Sequence, residues 1–204
     1  MLSSDDVDLS IGTQHWLMPD GIHDVSFQRL HFSGKNQLFE LDSCTFHAAA
    51  VGKRKEVSLS ADKFFFNSRD LSAIYEREQL LIDTLICYRP VLNWPFLYQK
   101  AAGDTSSLVI NQSVRHFFKY IRFRYIDIRD GQLPGYMKKA NLKIFNLRVD
   151  PDNRPLMRAD SVQLSLEGMP KGIPPPIPGL SELIGVKDLH VIRMLPRGGE
   201  AGKH

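Results

Sequence analysis

The sequence predicts a mainly β protein, an antiparallel bent sheet of long bulged strands shaped as a groove or half-pipe, with two short helices. Three observations predict it. Apolar residues recur at offsets 0, 2, 5 and 7 in six segments. Turn signals separate those segments, and a helix–strand–turn–strand unit occurs twice at an offset of 41 residues.

In order, the six sets are Val25, Phe27, Leu30, Phe32; Phe39, Leu41, Cys44, Phe46; and Leu59, Ala61, Phe64, Phe66. Leu80, Ile82, Leu85, Cys87; Ile121, Phe123, Ile126, Ile128; and Leu142, Ile144, Leu147, Val149 complete them. On a helix these offsets point all round the cylinder. In a strand, one extra residue at the centre restores a single apolar face on both sides of it. Six long strands creased near the centre describe a sheet that folds along a line. The alternative is a set of independent bulges in a closed sandwich.

The connections fit hairpins. "PDG" (19–21), "SGKN" (33–36), "VGKRK" (51–55) and "RDG" (129–131) each divide alternating segments. Two helices are expected between strands. Asp70 can cap a turn or two carrying Leu71, Ile74 and Tyr75. Ser113 can cap a helix with Val114, Phe117, Phe118 and Ile121 on one face. After each helix comes a comparable strand, so that Ile82 aligns with Phe123, Leu85 with Ile126, Pro90 with Gly131 and Leu92 with Leu133. Residues 1–166 are read as the β-rich domain. From Glu167 the chain turns to a Pro/Gly tract, "EGMPKGIPPPIPG", and 167–204 is read as an appendage with a disordered tail. Within it, 180–195 is expected as a short helix interrupted by Gly185.

Composition narrows the function classes. The chain has 204 residues, 43% hydrophobic and 24% charged, which allows one sizeable core. A net charge of +3 nominates neither nucleic acid nor membrane as a partner in bulk. Cys44 and Cys87 fall on apolar phases and read as core residues. No run is long enough to cross a bilayer, and "MLSSDDVDLS" lacks the basic and apolar regions of a secretory signal. Taken literally this is a cytoplasmic product; the strand-like start instead suggests an internal piece of a longer exported protein.

Motifs for chemistry are absent. There is no nucleophile elbow, zinc helix, P-loop or dinucleotide turn. "DPDNRP" (150–155) fails as a calcium loop, because Pro155 replaces the required glycine and Ser161 the bidentate glutamate. No metal, cofactor or catalytic residue is expected, and Asp83 and Asp127 read as solvated strand residues. "RHFFKYIRFRYIDIR" (115–129) interleaves basic and aromatic residues, but Phe117, Phe118 and Phe123 lie on the apolar phase. Nucleic acid is therefore not an expected partner; a membrane surface met through Arg115, Lys119 and Arg122 is the favoured contact for that basic face.

"FNSRDLSAIYEREQLLIDTLICYRPVL", "RFRYIDIRDGQL" and "ANLKIFNLRVD…ADSVQLSL" together resemble the AsmA-like group of bacterial envelope proteins, over roughly residues 24–166. The resemblance implies a bent, groove-shaped β-sheet carrying phospholipid, without catalysis, in a periplasmic, inner-membrane-associated protein longer than this chain. The groove candidates are Phe39, Leu41, Phe64, Phe66, Ile82, Leu85, Phe123, Ile126, Ile128, Ile144, Leu147 and Val149. The rival is a structural or protein-interaction sandwich in which the same residues close a dry core. Substituting Leu147 or Ile126 with Asp is expected to separate the two.

Overall fold

Twelve strands form a single sheet in the computed structural model, which describes residues 7–19, 21–50, 56–68, 70, 76–93, 120–134, 137–149, 157–169 and 184–196. The strands are β1 (Asp8–Ile11), β2 (Gln14–Leu17), β3 (His23–Phe27), β4 (Arg29–Ser33), β5 (Leu38–Ala48) and β6 (Val57–Asn67). They continue with β7 (Gln79–Tyr88), β8 (Val91–Asn93), β9 (Tyr120–Leu133), β10 (Met137–Val149), β11 (Met157–Met169) and β12 (Ile184–Pro196). The order across the sheet is β1-β4-β5-β6-β7-β9-β10-β11-β12, with β2 on β3, β3 on β5, and β8 between β6 and β9. Three of the short pairs are single strands interrupted by a crease: β1 with β2, β3 with β4, and β7 with β8.

The creases have a simple origin. In β9 the apolar positions are Ile121, Phe123, Ile126, Ile128, then Gly131 and Leu133, two residues in every five. Strands β7 and β8 repeat this as Leu80, Ile82, Leu85, Cys87, Pro90 and Leu92. At each slip two successive side chains face the other side of the sheet. Three residues of five then lie on the polar face and two on the apolar face, so the apolar face is the inside of the bend. Left-handed backbone at Ser43 (φ 49°), Arg89 (φ 47°), Asp130 (φ 54°) and Asn146 (φ 52°) turns the strand at the second residue of such doublets.

Neighbouring doublets face each other. Asp42 pairs Lys63 and Cys44 pairs Ala61, which sets Asp42–Ser43 against Asp62–Lys63 with no shift of register. Lys63 pairs Tyr88, and Tyr88 pairs Arg129. A first crease therefore runs through Gly12–Thr13, Gln28–Arg29, Asp42–Ser43, Asp62–Lys63, Tyr88–Arg89 and Arg129–Asp130. A second runs through Asn67–Ser68, Asp83–Thr84, Arg124–Tyr125, Phe145–Asn146, Asp160–Ser161 and Lys187–Asp188. Most slips are thus shared kinks in continuous register. A true two-against-one bulge occurs where Gly131 pairs Ala140 and Ile128 pairs Leu142. There Arg129 and Asp130 oppose Asn141 alone, and the Asp130 amide donates to Asn141 Oδ1 at 2.9 Å.

The structure departs from the sequence expectation in several places. The sheet is mixed: β7 and β8 run parallel to β9, and β11 runs parallel to β12. Each parallel step follows a long connection, 94–119 or 170–183, long enough to return the chain to the same end of the sheet. Of the first expected helix only Glu76 and Arg77 are helical among the described residues, and Gln79 already belongs to β7. The second expected helix lies outside the described residues, apart from Tyr120 and Ile121, which open β9. β11 runs on to Met169, beyond 166, and β12 is a strand of the sheet where a short helix was expected. Its apolar positions 184, 186, 189, 191 and 194 follow the five-residue rule, and Gly185 is tolerable in a strand.

Candidate functional site: the apolar face

The apolar face carries three clusters, and two of them follow the creases. Along the first, Phe27, Leu30, Cys44, Ala61 and Cys87 are buried. Along the second, Ile126, Ile144, Leu147, Ala159 and Val162 are buried. The third, Leu133, Met137, Leu164 and Leu166, lies towards the far end of β9–β11. Side chains flanking a crease on its inner side converge, which explains why Cys44, Ala61 and Cys87 are small. Pro90 stands beside Gly131 for the same reason: a Cβ on Gly131 would lie 3.3 Å from Pro90 Cγ. Each cluster draws only on strands that are neighbours in the sheet, so none of them is the interface between two packed sheets.

Burial divides the predicted groove residues. Ile82, Ile126, Ile144, Leu147 and Val149 are buried, between 5% and 7% exposed. Phe39, Leu41, Phe64, Phe66, Leu85, Phe123 and Ile128 are half-buried. Ile126 and Leu147 lie inside the second crease, so an Asp at either removes core in a groove as much as in a sandwich. The expected separation of the two readings by those substitutions does not hold; half-buried positions are the informative ones.

The half-buried aromatics form a stripe over β4, β5 and β6. Phe32 and Phe39 have ring centroids 4.9 Å apart, Phe39 stacks on Phe66 at 4.9 Å and 2°, and Phe64 meets Phe66 edge-on at 6.3 Å. Phe46 touches Phe64 at 6.2 Å, and Trp16 meets Phe27 edge-on at 4.9 Å near the open edge. These geometries are the favourable ones for aromatic pairs. Cys44 and Cys87 are buried free thiols; burial raises the Cys44 thiol and pushes Cys87 up to about 12.

The opposite face is an ion-pair ladder along the creases. Arg29 Nε donates to Asp42 at 2.7 Å, Lys63 lies 3.0 Å from Glu40 and 4.0 Å from Asp42, and Arg89 pairs with Asp62. On the second crease, Arg124 meets Asp83 at 3.4 Å, Asn146 donates to Asp160 at 3.0 Å, and Lys187 meets Asp160 at 3.0 Å. Exposed pairs contribute little individually, about 0–1 kcal/mol. Alternating charge does discriminate between correct and incorrect strand neighbours. A shallow depression of about 670 Å³ lies here among Glu40, Asp62, Lys63, Tyr88, Arg89 and Asp130, and each of its acids is ion-paired, Glu40 with Lys63, Asp62 with Arg89 and Asp130 with Lys139.

Asp83 and Asp127 are not the solvated residues the sequence suggests: Asp127 is buried, accepting from Arg129 Nε at 2.8 Å while that guanidinium lies over the Tyr88 ring, and Asp83 is half-buried against Arg124. Among the described residues no cluster of His, Cys, Asp and Glu could hold a metal ion. Arg122 is exposed on the polar face, 3.5 Å from Asn146 Oδ1; Arg115 and Lys119 lie outside the described residues. No helix among the described residues is long and apolar enough to cross a membrane. The ladder and the third repeat of the apolar pattern escaped the sequence reading, although the charged doublets Asp62–Lys63 and Lys187–Asp188 signal both.

Compared with known protein families, with curated proteins and with solved structures, the chain matches none.

Proposed function

We propose that this chain is a non-enzymatic binding segment of a cell-envelope protein, holding phospholipid acyl chains along the apolar inside of its bent sheet. One observation carries the reading: a continuous stripe of half-buried aromatics, Phe32, Phe39, Phe66 and Phe64, with no second sheet among the described residues packed on it. A half-buried ring still forfeits part of the about 1.5–3 kcal/mol that full burial provides, a cost that a non-specific apolar ligand removes. Acyl chains need no polar partners, in keeping with a site built of ring faces. The AsmA-like resemblance leads to the same class, with contact to anionic headgroups through Arg122, Arg115 and Lys119. In this reading the segment works as part of a longer, inner-membrane-associated protein.

The buried aliphatic cluster of the second crease favours a second reading, a structural or interaction domain whose apolar face is core throughout. Native mass spectrometry of the chain mixed with a bilayer-forming phospholipid distinguishes them. Adducts of phospholipid mass that vanish in Phe66→Asp, with the circular dichroism of the parent retained, are expected. A clean unliganded mass for the folded chain would support the second reading.

A further inference from the structure

The described large apolar side chains that stand exposed are Val7, Leu9, Trp16, Leu17, Leu189, Val191 and Ile192. All of them lie on or beside the two edges of the sheet, β1/β2 and β12, and none on an interior strand. Such a distribution marks edges that are covered rather than a face that is wetted. Strand β12 is the longer edge, and among the described residues it has only β11 as a ladder neighbour.

Its sequence is matched to itself. The second crease crosses β12 at Lys187–Asp188. Turned about a two-fold axis between those residues, perpendicular to the sheet, two β12 strands pair antiparallel with Lys187 opposite Asp188 of the other copy, twice. The same operation sets Val186 against Leu189 on the apolar face and Gly185 against His190. Doublet against doublet is how β5 and β6 already pair within the chain, where Asp42 faces Lys63. Lys187 reaches Asp160 of its own chain at 3.0 Å, and Asp188 is exposed with no ion pair among the described residues, so the new contact completes an alternating row.

We propose that β12 is a homodimer edge, in which a second copy of this chain extends the sheet by antiparallel addition. An isologous contact of this kind closes on itself, as most homodimer interfaces do. Both apolar faces stay on the same side, so the trough doubles in length across the axis. The inference rests on the edge strand and its charges, and stands or falls apart from the lipid reading.

Sedimentation equilibrium of the 204-residue chain, with circular dichroism on every variant, tests it. A dimer is expected. Lys187→Asp and Asp188→Lys each place like charges opposite each other and weaken it about tenfold or more. The double variant, K187D with D188K, restores the complement and the dimer. A Gly185→Cys/His190→Cys variant, oxidised gently, should give a covalent dimer even if a charge variant folds poorly. A monomer at all concentrations, a dimer indifferent to both charge reversals, or association that grows beyond two copies through β1/β2 would overturn the proposal.

Discussion

The two creases hold the sheet in different ways. Along the first, through β1–β9, the small Cys44, Ala61 and Cys87 are buried with Phe27 and Leu30, while Phe64 flanks the fold line half-buried, with Phe32, Phe39 and Phe66 on one side of it and Phe46 on the other. Along the second, through β6–β12, branched aliphatics fill the inside, with Val162 at 0%, Ile144 at 5% and Leu147 at 6% exposure. One half of the apolar face is thus consumed by its own packing, while the other keeps contact area to offer. A shared five-residue pattern does not fix which half is core; side-chain volume on the inside of the bend does.

The largest effect expected from this contrast is on stability. Ile126→Asp should cost more than about 3 kcal/mol, since it buries an unpaired carboxylate inside the second crease. Phe66→Asp should cost about 1–2 kcal/mol, because a half-buried ring loses only part of its transfer energy and the carboxylate reaches water. Urea unfolding followed by circular dichroism compares the two, and equal losses would erase the distinction between the halves.

The creases themselves come next. Ser43 holds a left-handed backbone at φ 49°. Ser43→Val, a β-branched residue in that conformation, should destabilise by about 1–2 kcal/mol. Ser43→Gly should leave stability unchanged or raise it by up to about 1 kcal/mol. The reverse ranking in thermal unfolding would mean that the strand does not turn at this residue.

The smallest effect is electrostatic and sits at one end of the aromatic half. Asp24 Oδ2 lies 2.7 Å from His47 Nδ1 and Asp24 Oδ1 3.2 Å from His15 Nε2, joining β2, β3 and β5. The bond to Asp24 raises the His47 imidazole above its ordinary 6.5, and the bond to His47 holds the Asp24 carboxyl below 3.8. The His47 contribution is complete below 6.5 and disappears as pH rises through the raised value. The Asp24 contribution is complete above 3.8 and disappears as pH falls through the lowered one. Together they stabilise the pairing only between those limits. An NMR titration should place the His47 midpoint above 6.5 and return it towards 6.5 in Asp24→Asn; an unmoved midpoint would remove the link.

Much of this was legible in the sequence, and the remainder has identifiable causes. The slip in "NLKIFNLRV" marks a real turn of the chain, since Asn146 sits at φ 52° between Ile144 and Leu147. Alternation reports one strand at a time, so it does not say that Asp42–Ser43 lies against Asp62–Lys63, or that β9 runs parallel to β7. β12 is hard to read from the sequence because Gly185 and the preceding prolines mask a short apolar pattern. In the sequence the candidate face looks like one surface because Ile126 and Phe66 are equivalent in phase. Both flank the second crease; Ile126 packs with Leu147 and Ala159 in its cluster, whereas β6 ends at Asn67, immediately after Phe66.

The most direct measurement uses tryptophan reporters and a phospholipid brominated in its acyl chains. In a chain carrying Trp16→Phe and Trp94→Phe, one variant has Phe66→Trp in the aromatic half and another Ile144→Trp at a buried position on the same face of the aliphatic half. The account predicts strong bromine quenching of the reporter at 66 and little at 144. Equal quenching at both, or none at either, would contradict the claim that the aromatic half is where this sheet receives an apolar chain.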